Sequence, residues 1–199
     1  MNLPNKLTIV RIIIVPFFVA VLMMPDIQHH YLWALLLFII ASVTDHFDGS
    51  IARKNNQITD FGKFMDPLAD KVLVTSALVC FVSLNLVNVW FVILMIARDL
   101  MVNSIRLVAA DSGKVIAANN WGKVKTVTQI VAVIAVLLFQ YIGELTSMGW
   151  IPAFTIGEAS STFAFAYIGN VFMLIATFFS VLSGIIYLKQ NIHFINTSK

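Results

Sequence analysis

The sequence predicts an all-α integral membrane protein with six transmembrane helices and a short N-terminal interfacial segment. Hydrophobic residues make up 59% of the 199 residues and charged residues only 12%, whereas soluble proteins are about 25% charged. Six apolar segments approach the ~20 residues that a helix needs to cross a bilayer. The basic residues fall almost entirely on one side of the membrane that these segments would define. Together these observations exclude a soluble globular protein.

Short connections join most of the predicted spans, and no linker, repeat or soluble domain is visible. We therefore expect a single domain over residues 1–199. The predicted spans are Leu7–Met24, Tyr31–Ala52, Phe64–Leu84, Val87–Val108, Val124–Ile142 and Phe163–Leu188. Only the connection Gly143–Thr162 is long.

The N-terminus is polar, and we expect Asn2–Thr8 to form the interfacial segment before the first span. No small-residue cleavage site follows that span, so we interpret it as a retained helix. Pro67 removes a backbone donor inside the predicted third helix. Either that helix begins at Pro67 with Asp66 as its cap, or Phe61–Met65 forms a separate turn.

The basic residues predict the orientation of the helices. With both termini in the cytoplasm, the inside regions hold twelve of the 13 Lys and Arg residues, the outside loops hold none, and Arg98 lies within the fourth span. Cytoplasmic loops carry such an excess of basic residues. We therefore expect the functional face to be cytoplasmic.

Four carboxylates cluster between the second and third spans. Asp45 and Asp48 share a helical stripe with Gly49, Ala52 and Arg53. Gly49 and Ala52 leave the helix surface bare beside the acids, and the Arg53 guanidinium suits a phosphate.

Asp66 and Asp70 continue the i, i+4 spacing that begins at Gly62, so this second pair also shares one helix face. Four uncompensated acids at membrane depth would cost on the order of 10 kcal/mol. Clustered carboxylate oxygens suit Mg²⁺ or Mn²⁺, and a divalent cation would relieve their repulsion. The residues thus predict a metal-dependent phosphate site at a membrane boundary, the alternative being a solvated acidic turn.

The pattern Asp-x2-Asp-Gly-x2-Ala-Arg-x8-Gly-x3-Asp-x3-Asp, met at every fixed position from Asp45 to Asp70, resembles the signature of the CDP-alcohol phosphatidyltransferases. The resemblance implies transfer of a phosphatidyl group from CDP-diacylglycerol, two Mg²⁺ or Mn²⁺ ions per site, and a homodimer. It implies metal ligation by Asp45, Asp48, Asp66 and Asp70, with Asp70 also the general base. The implied liponucleotide contacts are Gly49, Ala52, Arg53, Thr59 and Gly62.

Three further cations, Arg106, Lys123 and Lys125, lie at the cytoplasmic ends of the fourth and fifth spans. The residues alone allow a second phosphate site or the ordinary attraction of basic residues to anionic lipid. The pieces PNKLTIVR, ARDLMVNSIRLVAA and WGKVKTVTQ resemble stretches of the bacterial phosphatidylglycerophosphate synthases within the family. That resemblance implies a bacterial cell membrane, glycerol 3-phosphate as acceptor, and these three cations as its phosphate ligands. Asn5, Thr8 and Arg11 are further candidate phosphate or lipid contacts.

Rival interpretations differ in acceptor or in class. Inositol phosphate, serine or phosphatidylglycerol could replace glycerol 3-phosphate, although a phosphate-free acceptor would leave the three cations without a ligand. A divalent-cation channel or carrier is a different class, but it gives Gly49 and Arg53 no role. Membrane lipid is an expected partner and nucleic acid is not.

Four ionisable residues remain, in two adjacent pairs. Arg98 and Asp99 are neighbours in the fourth span, and adjacent helical positions point about 100° apart, so we expect no direct pair between them. They would instead have partners on other helices or in a water-filled cavity, or belong to the site. His29 and His30 are expected in an outside turn far from the acids.

Overall fold

The computed structural model of the chain describes residues 3–54, 60–111, 120–152, 155–156 and 159–192. Within these ranges the backbone alone is described at residues 3–6, 45–54, 60–64, 66–67, 70, 111, 155–156 and 159–163.

Six helices make up nearly all of the described chain, one at each predicted span. They are α1 (Leu3–Met23), α2 (His30–Lys54), α3 (Asp60–Ser83), α4 (Val89–Asp111), α5 (Asn120–Ser147) and α6 (Ser161–Asn191). Between α5 and α6, β1 (Thr155–Ile156) pairs antiparallel with β2 (Ala159–Ser160). The protein is therefore all-helical apart from this short strand pair.

Two helices end where a residue adopts the left-handed conformation. After α3, Asn85 has a φ of 57°, the Leu86 amide donates to the Phe81 carbonyl at 2.9 Å, and the Asn85 amide donates to the Val82 carbonyl at 3.0 Å. This is the Schellman arrangement, which satisfies the last carbonyls of a helix. Gly149, with a φ of 79°, ends α5 with the same pair of bonds.

One continuous apolar core joins all six helices. Its largest fully buried members include Phe18 of α1, Phe38 of α2, Phe81 of α3, Met95 of α4 and Met173 of α6. The most extensive contact is between α5 and α6, α1 packs on α2 and α3, and α4 packs on α6. Burial of these side chains positions the polar ends of α3 to α6 around a common space.

The outer surface of the bundle is apolar. Among the residues whose side chains are described, the stretches Asn120–Ser147 and Ala164–Asn191 are long and apolar enough to cross a membrane, judged by length and composition. Phe17, Leu107 and Phe178 are more than half exposed, and Trp90 and Trp150 are exposed near helix ends. Such a surface suits a bilayer.

The starts of two helices differ from the predicted ones. The α1 helix is continuous from Leu3, so the predicted interfacial segment and the first span are one helix, and the position of its first turns at the membrane interface stays a prediction; Pro4 lies in the first turn, where a missing N–H breaks no helical bond. Neither predicted break occurs at Pro67, since α3 runs uninterrupted from Asp60 to Ser83. The energetic cost of Pro67 is local, because the missing N–H leaves only the Lys63 carbonyl without its helical hydrogen-bond donor.

The C-terminal end of α5 also differs from the prediction. The helix continues past the predicted limit at Ile142 to Ser147, which brings Glu144 to the start of α2. There His30 Nδ1 lies 3.3 Å from Glu144 Oε1, and both side chains are largely buried. His29, with a φ of 59°, is in a turn as predicted, whereas His30 is the first residue of α2.

Candidate active site: a cationic cavity between α3, α4, α5 and α6

The predicted metal ligands lie on two helices. Asp45 and Asp48 are in the C-terminal part of α2, and Asp66 and Asp70 are in the N-terminal half of α3. Both stretches are continuous helix, so each pair shares a helix face, and α2 contacts α3. The four side chains lie outside the described ones, so their convergence on metal ions stays a prediction.

The predicted liponucleotide contacts are placed in the same way. Gly49, Ala52 and Arg53 lie in α2 and Gly62 in α3, with only their backbones described, and Thr59 lies outside the described residues. Their roles remain predictions.

A cavity of about 420 Å³ opens between α3, α4, α5 and α6. It brings together the three cations predicted from the sequence, Arg106, Lys123 and Lys125. Two more basic residues line it, Lys71 of α3 and Arg98 of α4. The remaining lining residues are Asp99, Val102, Asn103, Gly122, Thr126, Val127, Ser183 and Tyr187.

The charge of this cavity is strongly unbalanced. Five cationic side chains line it, and Asp99 is the one acidic residue among its described lining. A partly enclosed site strengthens electrostatic interactions relative to bulk water. Arg and Lys are the residues that bind phosphate, so the cavity suits a small phosphorylated ligand.

Lys71 relates the cavity to the predicted metal ligands. It follows Asp70 directly in α3, and it lines the cavity that holds Arg106 and Lys125. The last of the four acids is therefore one backbone position from the cationic cavity.

Arg98 and Asp99 pair directly, which contradicts the expectation from helix geometry. Arg98 Nη1 donates to Asp99 Oδ1 at 2.9 Å, and Arg98 Nη2 donates to Ser183 Oγ on α6 at 2.6 Å. The long arginine stem lets the guanidinium turn back toward its neighbour despite their angular separation. The stem fits because Gly184 of α6 has no side chain. A Cβ atom at Gly184 would lie only 2.7 Å from Arg98 Cγ.

Asp99 also joins α4 to α5. Lys125 Nζ donates to Asp99 Oδ2 at 2.6 Å. The Lys125 and Arg98 side chains are 8% and 12% exposed, and that of Asp99 is 26% exposed. The three side chains form a connected ionic group, here called the Arg98–Asp99–Lys125 network, at the wall of the cavity.

Arg106 is held by Tyr187 of α6. Its Nε donates to the tyrosine hydroxyl at 3.2 Å, and its guanidinium carbon lies 5.6 Å from the ring centroid. Tyr187 is buried with Val102 and Ile105. The tyrosine accepts from Nε and its ring lies within cation–π distance of the guanidinium, which leaves the two terminal amino groups for a bidentate contact with phosphate.

A second, smaller cavity of about 220 Å³ adjoins the first. The two share Lys71, Asp99, Asn103, Lys125 and Thr126. Its other lining residues are Val74, Thr75, Leu78, Ile96, Leu100, Gln129 and Ile130. The Arg98–Asp99–Lys125 network therefore lies at the junction between a cationic and a mostly apolar space.

Four residues that line the cavity were not predicted from the sequence: Lys71, Asn103, Ser183 and Tyr187. A helical signal existed on α4, where Asp99, Asn103 and Arg106 follow i, i+4, i+7 spacing within an apolar run. Ser183 and Tyr187 are also four residues apart. The spacing within each helix does not predict that these residues of α4 and α6 face each other.

The candidate contacts on α1 lie inside the bundle. Thr8 and Arg11 are fully buried on a helix that packs against α2 and α3. The Asn5 side chain is outside the described ones. A buried arginine beside the two acid-bearing helices is consistent with the suggested anion contact, which remains a prediction.

Comparison with known proteins adds independent information. The sequence profile of the CDP-alcohol phosphatidyltransferase family matches residues 1–182. A Bacillus subtilis (strain 168) protein named CDP-diacylglycerol–glycerol-3-phosphate 3-phosphatidyltransferase is 41% identical over 99% of this chain and 98% of its own length. Proteins of the same name from Escherichia coli K12 and Salmonella typhimurium LT2 are 44% and 43% identical, each over 66% of this chain and 74% of their own length.

Proposed function

Because this chain belongs to the CDP-alcohol phosphatidyltransferase family, we propose that it transfers a phosphatidyl group from CDP-diacylglycerol to glycerol 3-phosphate. The products are phosphatidylglycerophosphate, a phospholipid precursor, and CMP. The observation that most supports this proposal is the cavity with five cationic side chains beside Asp70. Such a cavity suits an acceptor that bears its own phosphate. The name of the Bacillus subtilis relative supports the same acceptor.

The acceptor enters the cationic cavity and the liponucleotide lies against α2 and α3. Arg106, Lys123 and Lys125 bind the phosphate of glycerol 3-phosphate. Gly49 and Ala52 admit the cytidine diphosphate close to the helix backbone, and Arg53 contacts its phosphates, with Thr59 and Gly62 as further contacts. Because the lipid tails remain in the bilayer, the reaction takes place at the membrane surface.

The transfer exchanges one phosphorus–oxygen bond for another. The 1-hydroxyl oxygen of glycerol 3-phosphate attacks the phosphatidyl phosphorus, and the bond from that phosphorus to CMP breaks. Asp70 takes the hydroxyl proton as general base. The cationic cavity orients the acceptor by its distal phosphate, which makes the hydroxyl attack effectively intramolecular.

Asp45, Asp48, Asp66 and Asp70 would hold two divalent cations, Mg²⁺ or Mn²⁺. The continuous helices on which the acids lie give each pair one shared face, and an all-carboxylate donor set suits these hard ions. The chemistry that such a pair supplies is neutralisation of diphosphate charge, which favours CMP as a leaving group.

All six helices span a bacterial cell membrane, with both termini and the site in the cytoplasm, and the protein is a homodimer. The supporting observation for the orientation is that twelve of the 13 Lys and Arg residues lie toward one side of the predicted spans and the connections of the other side hold none. In this orientation the cations of the cavity face the cytoplasm, the compartment that holds soluble phosphorylated acceptors.

An acceptor panel tests the proposed reaction. Purified protein in detergent receives CDP-diacylglycerol with glycerol 3-phosphate, inositol phosphate, serine or phosphatidylglycerol, and CMP release and lipid product are measured. We expect product only with glycerol 3-phosphate. Faster transfer to another acceptor would overturn the substrate assignment, and absence of CMP release with every acceptor would overturn the enzyme class.

Removal of metal tests the carboxylate site. We expect EDTA to stop CMP release, and Mg²⁺ or Mn²⁺ in excess to restore it. Asp70→Asn should lower transfer by about 10²–10⁴-fold, the contribution typical of a general base, while CDP-diacylglycerol still binds. Unchanged turnover in EDTA, or full activity of Asp70→Asn, would contradict these assignments.

A further inference from the structure

We propose that Asp99 is a positioning residue for the acceptor, which acts by holding the Lys125 ammonium at the wall of the cationic cavity. The inference rests on the proposed function, because it takes that cavity as the site of the acceptor phosphate. It concerns a carboxylate that has no part in the metal site or in the transfer of the proton.

Asp99 connects two cations on different helices with separate oxygens. Its Oδ2 accepts from Lys125 Nζ of α5 at 2.6 Å, and its Oδ1 accepts from Arg98 Nη1 of α4 at 2.9 Å. Arg98 is in turn anchored to Ser183 Oγ of α6 at 2.6 Å. The carboxylate is thereby fixed by three helices, and its orientation is well defined.

Lysine needs such a partner more than arginine does. Its ammonium ends a flexible stem, and immobilising a side chain of this kind on binding costs about 0.5–1.5 kcal/mol. Arg106 is already oriented by Tyr187, whereas Lys125 is oriented by Asp99. Because Asp99 already orders the Lys125 side chain in the free protein, binding of the acceptor does not include this free-energy cost.

The location of Lys125 makes its orientation consequential. Lys125 and Asp99 line both the 420 Å³ cationic cavity and the 220 Å³ cavity beside it. The Lys125 ammonium thus borders two spaces, and its hydrogen bond to Asp99 favours the position beside the cavity that holds Arg106 and Lys123. Asp99 keeps the positive charges of the larger cavity together.

A role in positioning and a role in charge predict opposite effects. The Asp99 carboxylate lowers the positive charge of the cavity, so its removal should strengthen phosphate binding if charge alone mattered. If positioning dominates, its removal should weaken phosphate binding. The sign of the change in the acceptor KM therefore separates the two.

A double-mutant cycle on the full-length protein in detergent tests the proposal. We expect Asp99→Asn to raise the KM for glycerol 3-phosphate about tenfold and to leave the KM for CDP-diacylglycerol unchanged. In a Lys125→Met background the same substitution should change the acceptor KM less than twofold, because the group that it positions is gone. Asp99→Glu, which keeps the charge, should restore most of the acceptor affinity.

Matched controls separate positioning from folding. Glu144→Gln removes a carboxylate 3.3 Å from His30 on the same helix as Lys125, and it should alter the melting temperature without altering the acceptor KM. If Asp99→Asn does not fold, the cycle is run with Asp99→Glu, expected to raise the acceptor KM twofold to threefold in the wild-type background only.

The outcomes distinguish this inference from the proposed function. Equal effects of the Asp99 substitution in both backgrounds, or a lowered acceptor KM, would overturn the positioning role while the acceptor site stands. If Lys125→Met and Arg106→Gln both leave the acceptor KM unchanged, the cavity is not the acceptor site and the proposed function itself fails.

Discussion

Arg106 shows how the fold orients a single residue that we propose binds phosphate. Its Nε donates to the Tyr187 hydroxyl at 3.2 Å, and its guanidinium carbon lies 5.6 Å from the centroid of the same ring. A lysine at this position would keep the charge but lose both the planar fork and the hydrogen bond from Nε to Tyr187. Arginine and lysine at this position therefore differ in geometry and not in charge.

We expect Arg106→Lys to raise the KM for glycerol 3-phosphate about tenfold, because a hydrogen bond to a charged group contributes roughly 1.5–3 kcal/mol. The KM for CDP-diacylglycerol should not change. Steady-state kinetics with each substrate varied in turn measures both constants. Leu107→Ala is the matched control, since Leu107 is 72% exposed beside Arg106; a proportional rise in both constants for Arg106→Lys would contradict the assignment.

Arg98 and Asp99 mark the limit of what the sequence could predict about the site. Their depth in an apolar helix identified them as candidates for function, but helix geometry indicated that they would not pair, and they do. The pairing depends on Ser183 and Gly184 of α6, which are 85 and 86 positions along the chain from Arg98. No local pattern contains that contact.

At the scale of elements, the long apolar runs predicted which helices form, whereas the ends of those helices were predicted less well. All six helices occur where apolar segments predicted them, because an apolar run of this length is stable only as a helix in lipid. The extension of α5 to Ser147 was missed, although Gly149 marks its end. That extension contributes the contact between Glu144 and His30.

The contact of α4 with α6 depends on the absence of a side chain at Gly184. A Cβ atom there would lie 2.7 Å from Arg98 Cγ and 3.3 Å from Met101 Cε. Such overpacking costs typically about 1–3 kcal/mol and shifts neighbouring side chains. Since Arg98 is the neighbour that must shift, the effect should extend to the cavity.

We expect Gly184→Ala to lower the melting temperature in detergent and to raise the acceptor KM severalfold. Gly169→Ala is the control, because its Cβ would meet Val136 Cγ2 at 3.3 Å, outside the lining of the cavity. It should lower stability alone. An equal change in the acceptor KM for both variants would indicate a general loss of packing and would contradict the link from α6 to the Arg98–Asp99–Lys125 network.

At the scale of the whole molecule, one core holds the bundle while its polar groups gather at the ends. The cavity cations come from the N-terminal half of α3, the middle and C-terminal part of α4 and the N-terminal part of α5, whereas the His30–Glu144 contact lies at the start of α2 and the far end of α5. The two groups of ionisable residues are separated by the length of α5. If the helices span a bilayer, these groups face different compartments.

The proposed orientation can be measured with introduced cysteines, since Cys80 is the chain's single cysteine and is buried. In a Cys80→Ala background, Asp26→Cys and Met148→Cys lie in exposed turns on the His30–Glu144 side, and Lys189→Cys lies at the exposed end of α6. With intact cells, a membrane-impermeant maleimide should label the first two only. Lys189→Cys should react only after permeabilisation. The reverse pattern would place the cationic cavity outside the cell, away from cytoplasmic glycerol 3-phosphate, and would refute the topology on which the assignment of the acceptor depends.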